Sequence, residues 1–216
     1  MIKYYLASLS LVLLLFNSCA SSSGISEKSK SKDKQQIIKI KEGALLVRLY
    51  VLNPKIQALQ KLSSNPELSE DKRAVAQKQL NELREERQSY VEEVIKAFTE
   101  NYDYSAVYFI ADSLYKKFNS GQQTSVFYDP LTFKVDPNSK FDHSDYIIYA
   151  TGKPDYKYSL LYPDLQIMTR PKRYYGIFAG SFVSKILPFV NNEQEARIKS
   201  IQKLNESFHK VWIEAH

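Results

Sequence analysis

Apolar and polar positions divide the chain into blocks of different period. An eleven-residue apolar run, Leu6 to Phe16, is broken only by two serines, and the stretch "ASSSGISEKSKSKDKQQ" that follows holds almost nothing to bury. The run "GALLVRLYV", Gly43 to Val51, then has the length and β-branched or aromatic content of a buried strand. Asn53 and Pro54 offer an N-cap and a first-turn proline to a short helix through Ile56, Leu59 and Leu62. From Glu70 to about Thr99, Ala76, Leu80, Leu83, Tyr90, Val94 and Ala97 recur at spacings of four and three, interrupted by Arg87. Val91, Ile95 and Phe98 widen that stripe toward its end, so the helix is expected to meet the core there.

"YSAVYFI", Tyr104 to Ile110, is the next predicted strand. A strand, a helical excursion and a second strand make a crossover unit, which places the two strands parallel in one sheet. A helix from about Asp112 to Phe118 leads into four short strand candidates, "TSVFYD", "DYIIYATG", "KYSLLY" and "LQIMTR". Separations this short favour hairpins and an antiparallel portion. "YYGIFAGSFVSKIL" fits a strand or a buried helix equally. Asn192 to Glu195 reads as a capping box for a closing helix through Ile198, Ile201, Leu204, Phe208, Val211 and Trp212. The expectation is an α/β fold, with α+β as its neighbour: a single mixed sheet, a long amphipathic crossover helix and a C-terminal helix.

The N-terminal block reads as an address. Lys3, the short apolar run and a small residue before Cys19 are the three parts of a secretory signal peptide. Eleven residues fall short of the roughly twenty that a membrane-spanning helix needs. Cys19 is the only cysteine, which excludes a disulfide within the chain. Ser18 followed by Cys19 directly after the apolar run resembles the lipobox of bacterial lipoproteins. The resemblance implies cleavage before Cys19, a diacylglyceryl thioether on its sulfur and an acylated amino group. It departs from the usual pattern at Phe16 and Asn17. The resulting division is a signal peptide at 1–18, a lipidated disordered tether at 19–36 and a single α/β domain at 37–216.

The net charge of +6 does not define a nucleic-acid surface, because it is scattered. Residues 1–36 carry +3 and residues 151–185 carry +4, whereas the long helix and the segment after it are acidic. Lysines next to a membrane serve anionic headgroups instead.

Catalytic signatures are few. Six glycines occur, none in a phosphate loop or dinucleotide fingerprint. His143, His209 and His216 are scattered, so neither a metal nor a cofactor is expected. "DPNSKFDHSD" gathers Asp136, Asn138, Asp142 and Asp145 as oxygen donors, but Lys140 and a missing glycine spoil a calcium loop, and these residues also make ordinary turns. "SLYK" places Ser113 and Lys116 one helical turn apart, as a serine nucleophile and lysine base would be. Such four-residue matches are common, and Asp112 or Ser113 capping the helix is the preferred reading. "TRPKRYYG" groups Arg170, Lys172 and Arg173 with Tyr174 and Tyr175, a patch suited to an anionic envelope component or a protein partner.

The order of "GALLVRLYV", a polar helix, "YSAVYFIADS" and short tyrosine-rich strands resembles uncharacterised exported proteins of Bacteroidota-type bacteria. That resemblance implies the bacterial envelope and no chemistry. The expected protein is a membrane-anchored, non-enzymatic binding or scaffold module, and the resemblance to lipoproteins, by the sorting rule of the enteric ones, implies from Ala20 after the cysteine the outer membrane, facing the periplasm. The alternative is a small envelope hydrolase using Ser113 with Lys116, or His143, beside aspartates.

Overall fold

The structure, a computed structural model, describes residues 27–122, 124–151, 158–168 and 193–216. In chain order these form α1 (Glu27–Lys39), β1 (Ala44–Leu49), α2 (Asn53–Ser63), α3 (Glu70–Asn101), β2 (Ala106–Ala111), α4 (Asp112–Asn119), β3 (Phe127–Tyr128), β4 (Tyr146–Thr151), β5 (Tyr158–Leu161) and α5 (Glu193–Ile213). The class is α/β, with one mixed five-stranded sheet in the order β3-β2-β1-β4-β5.

β1 is the central strand because it is apolar on both faces. Ala44, Leu45, Leu46, Val47 and Leu49 are fully buried, as a strand flanked and covered on all sides must be. It runs parallel to β2 from Ala44↔Ala106 to Leu49↔Ala111, and parallel to β4 from Ala44↔Tyr146 to Arg48↔Ala150. β3 and β5 close the edges antiparallel, through Phe109↔Tyr128 and Tyr149↔Leu160. The predicted crossover is present. The predicted series of hairpins is not: β3 and β4 lie on opposite sides of β1, and only β4 and β5 form a hairpin. Of "LQIMTR", the described residues 165–168 contribute a single bridge, Ile167↔Leu161, and the last two residues lie outside the described ones.

Two apolar layers follow from strand alternation. Leu45, Val47 and Leu49 face the larger core with Phe109 of β2 and Ile147 of β4, covered by Ile37 of α1, Phe98 of α3 and Ile201 and Phe208 of α5. Ala44, Leu46 and Ile148 face the smaller one, where Phe118 from α4 meets Phe127 and Phe141. Tyr108 lies edge-on to Phe141 with ring centroids 4.9 Å apart, so tyrosines here serve packing. α3 has 32 residues, about 48 Å of helix, and outruns the six-residue strands beneath it. Its overhanging first half is covered by α2, where Ile56 and Leu59 pack on Leu80 and Leu83. Arg87, the interruption in the apolar stripe, donates to the Tyr128 hydroxyl at 3.4 Å where the two halves join.

Two expectations are corrected. Asn53 is the first residue of α2, and the N-cap is Leu52 in the left-handed region at φ 52° with no side-chain cap. The disordered tether does not extend to residue 36: α1 begins at Glu27 and belongs to the domain. Asp33 is 4% exposed and accepts a hydrogen bond from the Tyr162 hydroxyl. The Tyr104 hydroxyl donates to the Ile37 carbonyl at 2.9 Å, and Gln36 Nε2 donates to the Tyr146 carbonyl at 3.2 Å. Ile37 and Ile40 complete the docking as core residues.

Candidate functional site

The carboxyl ends of parallel strands are where open α/β sheets hold ligands, at the point where neighbouring connections leave on opposite faces. Here that point lies between β1, whose connection returns through α3 over the larger core, and β2, which turns directly into α4 over the smaller one. Asp112 and Ser113 sit in this crevice. One Asp112 oxygen accepts the Ser113 N–H at 2.9 Å and the Val51 N–H at 3.4 Å, stitching the two strand exits together. The Ser113 hydroxyl is engaged by the Asn53 side-chain amide, which offers no base. Lys116 stands exposed a turn further along α4. The expected capping role is corrected: α4 begins at Asp112, its N-cap is Ala111 with no side-chain cap, and Asp112 instead bridges the two strand exits, while no nucleophile–base contact joins Ser113 to Lys116.

His143 lies at the other end of the sheet, three residues ahead of β4. Its Nε2 is 3.4 Å from the Tyr108 hydroxyl, and its ring packs edge-on against Tyr108 and Phe141. Burial, with the Asp142 charge, holds the Tyr108 hydroxyl above its usual acidity range. Ser113 and His143 are thus separated by the length of β2, and the predicted hydrolase set does not converge. The acidic loop is a turn: Asp136 accepts the Asn138 N–H at 2.8 Å, and the Asp145 main-chain oxygen accepts the Ala44 N–H at 3.1 Å. Among the described residues no three His, Cys, Asp or Glu side chains gather as a metal ion would require.

A constellation that sequence reasoning missed joins α5 to the turn before β2. His209 Nε2 lies 2.8 Å from Asp103 Oδ1, and Asn205 Nδ2 donates to the same oxygen at 2.8 Å. Asn205 Oδ1 accepts the main-chain N–H groups of Asp103 and Tyr104 at 3.2 and 3.1 Å. The Asn205 and His209 bonds hold the Asp103 carboxyl below its usual range. Tyr104 lies edge-on to His209, and burial pushes its hydroxyl up to about 12. The group borders an open hollow of about 570 Å3 whose other walls include Glu206, Lys210 and Ile213. A carboxylate-oriented imidazole can pass a proton, but the wall carries no hydroxyl or thiol nucleophile. Asn205 and His209 share a helix face at a spacing of four, which is legible. Their partner is about a hundred residues away and is not.

The basic surface of α1 is the remaining feature. Lys32 lies over the Tyr162 ring at 3.9 Å, and Lys34 reaches the Glu214 carbonyl at 3.5 Å. Cys19 and the patch of Arg170, Lys172, Arg173, Tyr174 and Tyr175 lie outside the described residues, as does the ambiguous segment 174–187. None of the described helices is long and apolar enough to cross a membrane. Together these features define an α/β domain with a basic N-terminal helix. No family model, no curated protein and no solved structure matches the chain.

Proposed function

We propose that the protein is a bacterial envelope lipoprotein, held by acyl chains on Cys19, whose body is a non-enzymatic binding or scaffold module. The observation that carries this reading is the sole cysteine placed directly after a short apolar run and a serine. Several acyl chains exceed the two signals that stable anchoring requires, so no spanning helix is needed. The body acts on an envelope protein or an anionic envelope component, on the periplasmic face of the outer membrane. The binding role is favoured over hydrolysis because Ser113 is committed to Asn53 and stands at the far end of β2 from His143.

The test is Cys19→Ser in the native host, followed by membrane fractionation and metabolic labelling with an alkyne fatty acid. The wild-type chain is expected in the membrane fraction with label, and the variant in the soluble fraction without it. A variant that still partitions with membranes overturns the anchor.

A further inference from the structure

We infer that the face formed by α1 and the turn from Tyr162 to Ile167 lies against the phospholipid surface that holds Cys19, with anionic headgroups as its ligand. The inference rests on the lipid-anchor reading for its geometry. Eight Cα steps separate Cys19 from Glu27, so whatever path the chain takes, the start of α1 stands within about 28 Å of the anchored residue. α1 cannot swing away from the body on that leash, because Asp33, Gln36 and Ile37 are bonded to Tyr162, Tyr146 and Tyr104. The leash and the docked helix together select which side of the domain meets the membrane.

The chemistry of that side fits the assignment. By sequence α1 carries Lys28, Lys30, Lys32, Lys34 and Lys39 against Glu27 and Asp33; Lys34 is turned to the Glu214 carbonyl, and Asp33 is withdrawn from the surface by burial on Tyr162. Lys32 and Lys39 are exposed. Beside them the chain turns at Tyr162, whose N–H donates to the Gln166 carbonyl and whose carbonyl accepts the Leu165 N–H, both at 2.9 Å. This closed turn, with Leu165 at φ 65°, presents Leu165 and Ile167 at 43% and 71% exposure. Cationic side chains flanking a small apolar prominence are the composition of a surface that settles among headgroups. Asp33 and Lys32 both touch Tyr162, so the basic and apolar parts form one face.

The experiment uses the mature chain from a bacterial host, with Ile167→Cys or Leu131→Cys labelled by a thiol-reactive fluorophore. Leu131 is the control, because it is 86% exposed and follows β3 at the opposite edge of the sheet. In phosphatidylcholine vesicles with about 30% phosphatidylglycerol, brominated lipid is expected to quench position 167 at least about threefold more than position 131. Lys28→Gln, Lys30→Gln, Lys32→Gln and Lys39→Gln together should bring the ratio toward one. Equal quenching at both positions, or a ratio that the four substitutions leave unmoved, overturns the inference. So does a position 167 in native membranes shielded from both lipid and aqueous quenchers, which identifies a protein occupant. The mass of the chain reports separately on Cys19. If it is unacylated, the anchor reading falls, and sedimentation of that chain with anionic but not neutral vesicles decides for this face, with no difference deciding against it.

Discussion

His209 Nε2 meets Asp103 Oδ1 at 2.8 Å, across 106 residues of sequence, and so fastens the last helix to the turn that opens β2. Asp103 has its carboxyl held below the ordinary range by Asn205 first and His209 second. A carboxyl depressed in the folded state stabilises the fold above its unfolded pKa, and that contribution disappears as pH falls through the folded value. Urea midpoints measured from pH 5 down to pH 2 are therefore expected to decline, and Asp103→Asn should flatten that decline. An equally steep decline in the variant removes Asp103 from the acid response.

Asn205 performs a different part of the same fastening. Its side-chain oxygen accepts two main-chain N–H groups, one of them on the buried Tyr104. Asn205→Ala leaves that pair without their acceptor and is expected to cost about 1–3 kcal/mol in urea unfolding. Hydrogen exchange at Asp103 and Tyr104 should accelerate before exchange in β1 does.

Tyr162→Phe tests whether α1 is part of the domain. The hydroxyl it removes donates to Asp33, a carboxylate 4% exposed, and hydrogen bonds to charged groups contribute about 1.5–3 kcal/mol. Exchange across residues 31–39 should rise in the variant while α3 stays protected. Burial and then the Asp33 bond also hold the Tyr162 hydroxyl above its ordinary range, and burial pushes Tyr104 up to about 12. Phenols raised in the folded state favour folding below an ordinary tyrosine pKa of 10.0, and that advantage is lost as pH rises beyond it. Tyr162→Phe should make the alkaline decline in stability shallower.

Much of the sheet was legible because its strands are apolar for a visible reason. β1 buries both faces, β2 does so over its second half, and α3 must bury a stripe, so each carries its period in the sequence. α1 carried no such mark. Its apolar anchors, Ile37 and Ile40, come only at its end, and the residue that seats its first half is the charged Asp33, which a composition argument assigns to solvent. The crevice residues Asp112 and Ser113 were visible as marking a helix start, although the cap itself is Ala111, whereas the Asn53 contact that occupies the serine depends on two strand exits lying side by side. The same holds for Asp103 and His209. Long-range side-chain partners follow strand order, and spacing along the chain is silent about that.

Gly43 stands where the chain passes from α1 into β1. A Cβ there would lie 2.1 Å from the Asp145 carbonyl oxygen, the atom that accepts the Ala44 N–H. Gly43→Ala must push the start of β4 away from β1, and overpacking of this kind costs about 1–3 kcal/mol. Thermal unfolding of the variant should show the loss, and an unchanged midpoint would mean that the entry to β4 yields freely.

Phe98 is the pivot of the larger core. It is 0% exposed and makes edge-on ring contacts with Tyr102, Phe109 and Tyr149, which join α3 to β2 and β4. Phe98→Ala should destabilise by about 3–5 kcal/mol in denaturant unfolding, with the slope of the transition preserved.

The placement of β1 has a mechanical consequence. Tension on the chain ahead of Glu27 travels through α1 and, five residues after α1 ends, reaches a strand held by six register pairs on one side and five on the other. A pull directed along β1 loads both parallel ladders together in shear instead of opening one rung at a time. Such a pull is thus borne by the two ladders of the central strand, while the two antiparallel edge strands stay out of the load.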